Sequence, residues 1–170
     1  MYCLKKALFL LNAVNIRFGS SGSQVPVPDT SSLPVFTDNV LPSLLVHLGV
    51  LDLSRASSGL HDVFSTESDK LEKLLGKPDP TGDIVAALPK EPPIDGPTLS
   101  TEQAYILRAA AVDACEMIIE VAHSLDSAQV PNWFKDIKLP DLDMWLWSVA
   151  KDRSDYRRLP RFVLRDTVMF

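Results

Sequence analysis

Apolar side chains recur at intervals of three and four residues in several stretches of this chain, and such spacing predicts amphipathic helices. The longest stretch begins at Ser100, which forms an S-x-x-Q capping box with Gln103, and it ends near Leu125. The residues of its apolar stripe, which should face the core, are Leu107, Ala111, Ala114, Ile118, Ala122 and Leu125. Arg108 and Glu116 lie beside this stripe, so each serves either in a salt bridge at the helix flank or in contact with a ligand.

Two more helices are predicted in the first third of the chain. One spans about residues 4–18, and Gly19 follows it as a C-cap residue. Its apolar face consists of Ala7, Leu10, Leu11, Val14 and Phe18. The other lies within residues 33–53, where apolar positions recur near helical spacing. Residues 54–76 favour one short helix, formed around Phe64, Leu71, Leu74 and Leu75.

The last predicted helix spans about residues 140–150. Pro140 suits its first turn, and Asp141 can accept hydrogen bonds from the free N–H groups there. Its apolar stripe consists of Leu142, Trp145, Leu146 and Val149. Asp143 and Trp147 are four residues apart and share another side of the helix. Either they stack a flat heterocycle and accept hydrogen bonds from its edge, or Asp143 serves the helix N-terminus while Trp147 packs in the core.

Two segments predict loops. Residues 20–32 are rich in Gly, Ser and Pro, and residues 77–98 hold several prolines. A loop as long as the second is an insertion or a mobile lid, and the lack of a charge cluster or an aromatic residue that could serve a ligand favours the insertion. No segment of any length alternates with the period of a β-strand, so we expect an all-α fold in a single domain over residues 1–170. Residues 163–170 have an extended pattern and should form a short tail that docks on the body.

The composition agrees with one globular domain, because 46% of the 170 side chains are hydrophobic and 23% are charged. The formal net charge of −5 argues against binding to duplex nucleic acid, whose affinity comes largely from Lys and Arg. A small anionic ligand needs only one or two local cations. We therefore expect a small-molecule ligand and no direct contact with nucleic acid or with a membrane.

Cysteine and histidine residues suggest no metal chemistry. Cys3 and Cys115 are far apart and form no CxxC motif, which indicates reduced thiols in an intracellular, cytoplasmic protein. His47, His61 and His123 occur at unrelated spacings. We therefore expect no metal site, and no motif in the sequence indicates a cofactor.

A carboxylate stands at the entrance of the apolar run within residues 33–53. Asp38 follows Phe36 by two positions and directly precedes strongly apolar sequence. A charge is costly to bury there unless it is hydrogen-bonded or paired. From the sequence pattern alone, Asp38 is either the cap of a helix or part of a functional site.

The chain resembles the queuosine salvage family, whose members release the base queuine from queuosine 5′-phosphate by cleaving its N-glycosidic bond. Five ordered segments carry the resemblance, namely Lys5-Lys6-Ala7-Leu8-Phe9-Leu10-Leu11, Phe36-Thr37-Asp38 with Pro42 and Leu48-Gly49-Val50, Leu107-Arg108-Ala109-Ala110 with Glu116, Asp143-Met144-Trp145-Leu146-Trp147, and Arg165-Asp166-Thr167-Val168. The family has a fold similar to that of helical DNA glycosylases, which agrees with the all-α expectation. The resemblance covers nearly the whole chain and corresponds to about the C-terminal half of a typical member.

The resemblance implies a role for each matching residue. Asp38 matches the acid of the family's Phe-x-Asp motif, which stabilises or attacks the cationic ribose carbon, so Asp38 is the expected catalytic residue. Phe36 matches an aromatic residue that helps to hold the base. Asp143 matches a second carboxylate, which binds donors on the base rather than cleaving the bond.

The chain also departs from the family pattern. An aromatic residue often follows the position of Asp143 and an acid can follow the position of Trp147, whereas this chain has Met144 and Ser148. We therefore expect Trp145, Trp147 and Ser148 to complete the substrate-binding set. By charge alone, Arg161 and Arg165 are candidates to bind the phosphate.

The match to half of a typical member leaves an alternative open. A substrate-binding histidine from the family's N-terminal half has no counterpart here, and neither His47 nor His61 is taken as its replacement. The alternative to a hydrolase is therefore an inactive fragment or a non-catalytic helical binding module.

Overall fold

The computed structural model describes residues 4–19, 26–64, 76, 94–126 and 130–166. Within these residues the chain forms five α-helices, one short 3₁₀ helix and two β-strands. In chain order the elements are α1 (Lys5–Phe18), α2 (Val40–His47), β1 (Asp95–Thr98), α3 (Thr101–Ser124), the 3₁₀ helix Asn132–Lys135, α4 (Leu139–Asp152), α5 (Ser154–Arg157) and β2 (Arg161–Val163). The described part of the chain is thus mostly helical, as the sequence pattern predicts.

A small parallel sheet is the main departure from the all-α expectation. β1 falls inside the segment 77–98 that was predicted as a loop, and β2 begins before the predicted C-terminal tail. The Arg161 N–H donates to the Ile94 carbonyl at 3.2 Å, and the Leu99 N–H donates to the Val163 carbonyl at 2.9 Å. Strands of four and three residues are too short to produce a visible alternation, so the expectation of no strand was wrong.

Helix α2 forms the centre of the main hydrophobic core, with α3 and α4 packed against it. Its first six residues are all buried, because this stretch is apolar except for Ser43. The Ser43 hydroxyl accepts a hydrogen bond from the Phe162 N–H at 3.2 Å and so ties β2 to α2. The buried members of the core are Val35, Val40, Leu41, Leu44, Leu45, Leu48, Ala111, Cys115, Ile119, Leu142, Leu146, Val149, Ala150 and Tyr156.

Helix α3 begins where the capping box predicts. The Ser100 hydroxyl accepts from the Gln103 N–H at 3.1 Å, and the Gln103 side chain accepts from the Ser100 N–H at 2.9 Å. The predicted stripe is confirmed at Leu107, Ala111 and Ala122, whereas Ala114 and Ile118 are only half-buried. The buried face consists of Ala104, Leu107, Ala111, Cys115, Ile119 and Ala122. It is therefore rotated slightly toward Cys115 and Ile119.

Helix α1 has the predicted bounds, but its apolar side does not face a core in the described part of the chain. Leu10 and Phe18 are exposed, and the buried residue of this helix is Asn12. Thr30 donates to the Asn12 side-chain carbonyl at 3.0 Å and accepts from the Asn15 amide at 2.8 Å. The side of α1 that packs on the described chain is therefore its polar side, which the spacing of apolar residues predicted to face solvent.

Two further observations complete the fold. Residues 54–64 form turns, and the rest of the helix expected within residues 54–76 lies outside the described residues except for Gly76. None of the helices in the described ranges has the length and apolar character needed to cross a bilayer.

Candidate functional site

The expected catalytic residue, Asp38, lies just before α2 and makes two contacts there. Its Oδ1 atom accepts a hydrogen bond from the Val40 N–H at 2.8 Å. Its Oδ2 atom forms an ion pair with Lys5 Nζ at the start of α1, and both side chains are mostly shielded from solvent. Asp38 thus accepts from the first N–H of α2, but the N-cap residue of this helix is Asn39, whose side chain makes no cap hydrogen bond. The catalytic role of Asp38 stays a prediction.

Asp143, in α4, is buried, with 3% of its surface exposed. Its Oδ1 atom accepts a hydrogen bond from the backbone N–H of Phe36 at 3.1 Å, which joins residues 107 positions apart. Burial raises the pKa of the Asp143 carboxyl to about 6. The Phe36 hydrogen bond and the charge of Lys5 oppose this shift, whereas the charge of Asp38 adds to it. The two predicted carboxylates therefore lie close enough to influence each other.

Two ammonium groups contact the indole of Trp147. Lys5 Nζ lies 5.5 Å from the centroid of the Trp147 ring, and Lys151 Nζ lies 5.3 Å from it. Both distances are within the range of a cation–π contact. Trp147 as a whole residue keeps 38% of its surface exposed. Lys5 thus links Asp38 to Trp147.

A cavity of about 180 Å³ opens between α1 and α4 beside these groups. It is smaller than the roughly 300–1,000 Å³ typical of ligand pockets, so it can take a single flat ring system rather than a whole nucleotide. Its walls are mostly apolar, with charged groups from both helices. The lining residues are Lys5, Lys6, Phe9, Asp143, Met144 and Trp147.

The structure brings only some of the predicted binding residues to this cavity. Asp143 and Trp147 line it, and Asp38 contacts it through Lys5. The side chain of Phe36 is buried, so this residue reaches the site through its backbone N–H instead. Its neighbour Val35 belongs to the main core, so the chain around these two residues packs against the interior.

Trp145 and Ser148 do not line the cavity. Trp145 is half exposed, although its spacing placed it on the apolar stripe of α4. The Ser148 hydroxyl donates to the Trp145 carbonyl at 2.8 Å, a local bond within the helix. The expectation that Trp145 faces the core was therefore wrong, because Leu142, Leu146 and Val149 fill that face.

Sequence reasoning missed several residues that border the site. Lys5, Lys6 and Phe9 belong to a segment that carries the family resemblance, but none of them was predicted to be part of the site. The signal that could have found Lys151 is its position four residues after Trp147, on the same side of α4. Nothing in the local sequence indicates that the start of α1 meets α4.

Arg161, a candidate for phosphate binding, makes hydrogen bonds within the fold instead. It is buried, and its Nη2 atom donates to the Ala150 carbonyl at 3.0 Å. Burial lowers the pKa of its guanidinium. Arg165, the other candidate, is exposed near the end of the described chain.

Other reactive groups of the described chain lie beside a second cavity or, as in Cys115, close enough to Asp143 to feel its charge. A larger cavity of about 600 Å³ is bordered by His47, His61 and Asp52, but by neither Asp38 nor Asp143. Within the described residues, no group of three or more His, Cys, Asp or Glu side chains is arranged so that it could hold a metal ion. Burial raises the pKa of the Cys115 thiol to about 12, so this thiol is not a nucleophile near neutral pH.

Comparisons with protein families, with curated proteins and with solved structures find no match to this chain.

Proposed function

We propose that this chain hydrolyses the N-glycosidic bond of queuosine 5′-phosphate and releases queuine for salvage into tRNA modification. We also propose that its helices are arranged as in helical DNA glycosylases. The observation that supports the activity best is that two carboxylates from distant segments, Asp38 and Asp143, lie close enough to influence each other, with Asp143 lining a mostly apolar cavity. The motif Phe36-Thr37-Asp38 supplies the family context.

In this proposal Asp38 stabilises the positive charge that develops at the ribose C1′ atom. Its carboxylate acts either by electrostatic stabilisation or by direct attack, and water then supplies a hydroxyl group to C1′. The proton from that water goes to the nitrogen of the departing base. The reaction consumes one water and yields queuine and ribose 5-phosphate in equal amounts.

Asp143 and Trp147 bind the base in the same proposal. Trp147 is partly exposed and lines the cavity, where its indole stacks on the base, and the Asp143 carboxylate accepts hydrogen bonds from the donors on the base. A pKa of about 6 leaves this carboxylate mostly ionised at pH 7, so it can serve as an acceptor. Binding the base would also displace water from around the two carboxylates.

A specific observation favours the second candidate, a non-catalytic helical binding module. Both oxygens of Asp38 are engaged, one by the Val40 N–H and the other by Lys5. A carboxylate that attacks or stabilises C1′ must give up the contact with Lys5 or share it with the substrate. A binding module would retain this ion pair in the liganded state.

Substitution of Asp38 by Asn separates the two candidates. The variant keeps an oxygen that can accept from the Val40 N–H but loses the charge, so we expect it to fold and to lose at least about 99% of queuine release. The measurement is mass-spectrometric detection of queuine after incubation with queuosine 5′-phosphate. If wild-type and variant chains turn over at the same rate, the catalytic role is wrong.

Asp141→Asn is the matched control. Asp141 also stands at the entrance of a helix and accepts a backbone hydrogen bond, from the Lys138 N–H at 3.0 Å, but it does not line the cavity. We expect this variant to keep wild-type turnover. If the wild-type chain binds the nucleotide and releases no queuine, the binding module is the correct function.

A further inference from the structure

One side of α1 is apolar, exposed and bordered by positive charge. Leu10 keeps 62% of its surface exposed, and Leu11 and Phe18 on the same side are exposed as well. Lys6 lies four positions before Leu10 and Arg17 seven after it, so both cations share this side of the helix, and both are exposed. We call these five residues the α1 face. A contiguous exposed apolar surface of this kind marks an interaction site.

The charge of α1 restricts the partner that this face can bind. The helix Lys5–Phe18 contains no acidic side chain. Contact between the α1 faces of two copies would therefore bring Lys6 and Arg17 close to the same cations of the other copy, and like charges in contact oppose association. The α1 face fits a partner surface that is apolar and bordered by negative charge.

A second apolar surface lies on α3. A groove of about 300 Å³ opens there between the helix and the turn that follows α2. Of the described residues, only apolar ones line this α3 groove, namely Val50, Ala114, Met117, Ile118 and Val121. Met117 keeps 64% of its surface exposed, and Val121 and Val50 are exposed as well. The described chain therefore leaves the α3 groove open.

Acidic side chains border the α3 groove. Asp113 precedes Met117 by four positions and Glu120 follows it by three, so both lie next to it on the helix surface. Glu116 lies between these two acids at spacings of three and four, and all three acidic side chains are exposed. This acidic row gives the α3 groove the charge that the α1 face lacks.

The two surfaces also match in length. Lys6 and Arg17 are about 16 Å apart along α1, and Asp113 and Glu120 are about 10 Å apart along α3, at the rise of 1.5 Å per residue. The long side chains of Lys and Arg can cover this difference, which is shared between the two ends. One α1 face can therefore place both of its cations at the acidic row.

We propose that the α1 face of one copy of this chain docks in the α3 groove of a second copy. Leu10 then packs against Met117 in the groove, and the two cations of the α1 face pair with the acidic row. Contact between two α3 grooves would bring like charges together, as contact between two α1 faces does, so the interface joins unlike surfaces. Association requires neither substrate nor catalysis, and it is independent of the proposed hydrolysis.

Sedimentation equilibrium of the wild-type chain between about 1 and 500 µM tests this contact. We expect the mass to rise above the 18.8 kDa of one chain, with a dissociation constant of about 10 µM, because one helix in a groove makes a small interface. Association should weaken at higher salt, since salt screens exposed charges.

Charge reversal on either surface should weaken this association at least about tenfold, because it brings like charges together. One variant combines Lys6→Glu with Arg17→Glu, and the other combines Asp113→Lys with Glu120→Lys. An equal mixture of the two variants should associate as tightly as wild type does, because each surface again meets its opposite. If two α1 faces formed the interface instead, the α3 variant alone would associate as wild type does.

Arg55→Glu combined with Lys135→Glu is the matched control, since both cations are exposed and belong to neither surface. This control should associate as wild type does. Circular dichroism reports whether each variant folds, and Leu10→Gln should weaken association without any reversal of charge.

Three results overturn the proposal. They are a wild-type chain that stays monomeric over this concentration range, folded reversal variants that associate as wild type does, and a mixture of folded variants that does not associate. A monomeric wild-type chain that binds phosphatidylserine vesicles would also overturn it and would assign the α1 face to a membrane surface. If a reversal variant does not fold, association of Leu10→Gln at the wild-type strength overturns it.

Discussion

Asp143 holds a carboxyl group in a place with almost no access to water. Its ionised form is stabilised by a hydrogen bond from the Phe36 N–H and by the charge of Lys5. Neither fully compensates for the loss of water, so the pKa of Asp143 rises to about 6. This burial decreases stability near neutral pH, and it leaves an acceptor at the wall of the cavity.

The pH dependence of unfolding should reveal this group. The pKa in the folded chain, about 6, lies above the ordinary value of 3.8, so the folded chain holds the proton more tightly than the unfolded chain does. The resulting stability is fully present below about pH 4 and is lost as pH rises through about 6. We expect Asp143→Asn to remove this loss, a difference of at most about 3 kcal/mol between pH 4 and pH 7.

Urea denaturation of both chains between pH 4 and pH 7 measures this difference. The free energy of unfolding of Asp143→Asn should rise relative to wild type as the pH increases. Asp141→Asn, at an exposed position of the same helix, should follow the wild-type slope. Parallel curves for wild type and Asp143→Asn contradict the assigned pKa shift.

The sequence was sufficient for some residues of the site and insufficient for others. The four-residue spacing of Asp143 and Trp147 predicts a shared side of one helix, which is a local property. Lys5 could not be placed in the same way, because its contact with Asp38 spans 33 positions and depends on how α1 meets α2. Phe36 was assigned to the site by its motif. Its side chain is buried, however, and only its backbone N–H contacts Asp143.

At the scale of elements, α3 shows how local signals define a helix. Its capping box satisfies two backbone N–H donors at the N-terminus, those of Ser100 and Gln103, and its length of 24 residues presents a long face to the core. The sheet shows the opposite case, because β1 and β2 are defined by pairing with each other rather than by their own sequences. A search for periodicity does not detect strands that are this short and that pair with a distant segment of the chain.

Ser100→Ala should destabilise the fold through the start of α3. The variant loses the acceptor for the Gln103 N–H, and the loss of such a cap costs about 1 kcal/mol. Thermal or urea denaturation measures the change. Ser124→Ala is the control at the other end of the helix, where the hydroxyl only donates to the Val121 carbonyl within the last turn. Equal stability of Ser100→Ala and wild type would show that the capping box contributes nothing.

Gly96→Ala should disturb the sheet. A Cβ atom at this position would lie 2.7 Å from the Arg161 carbonyl oxygen, so one strand must shift. Forced overpacking of this kind typically costs about 1–3 kcal/mol in the free energy of unfolding. Thr98→Ala, at an exposed position of the same strand, should cost less. A Gly96→Ala chain as stable as wild type contradicts the close pairing of β1 and β2.

For the molecule as a whole, the candidate site lies where three segments from different parts of the chain meet. The core around α2 fixes α4, and the Asn12–Thr30 contact and the Lys5–Asp38 pair attach α1 beside them. Helical character and most helix bounds followed from the sequence because they depend on nearby residues. The cavity did not, because it exists only after α1 and α4 come together.

The release of both products from queuosine 5′-phosphate tests the central proposal most directly. Water attack at C1′ predicts equal amounts of queuine and ribose 5-phosphate from the wild-type chain, and neither product from Asp38→Asn, with both quantified by mass spectrometry in the same reaction. Equal product formation by wild type and Asp38→Asn, or no product from a folded wild-type chain that binds the nucleotide, would contradict it.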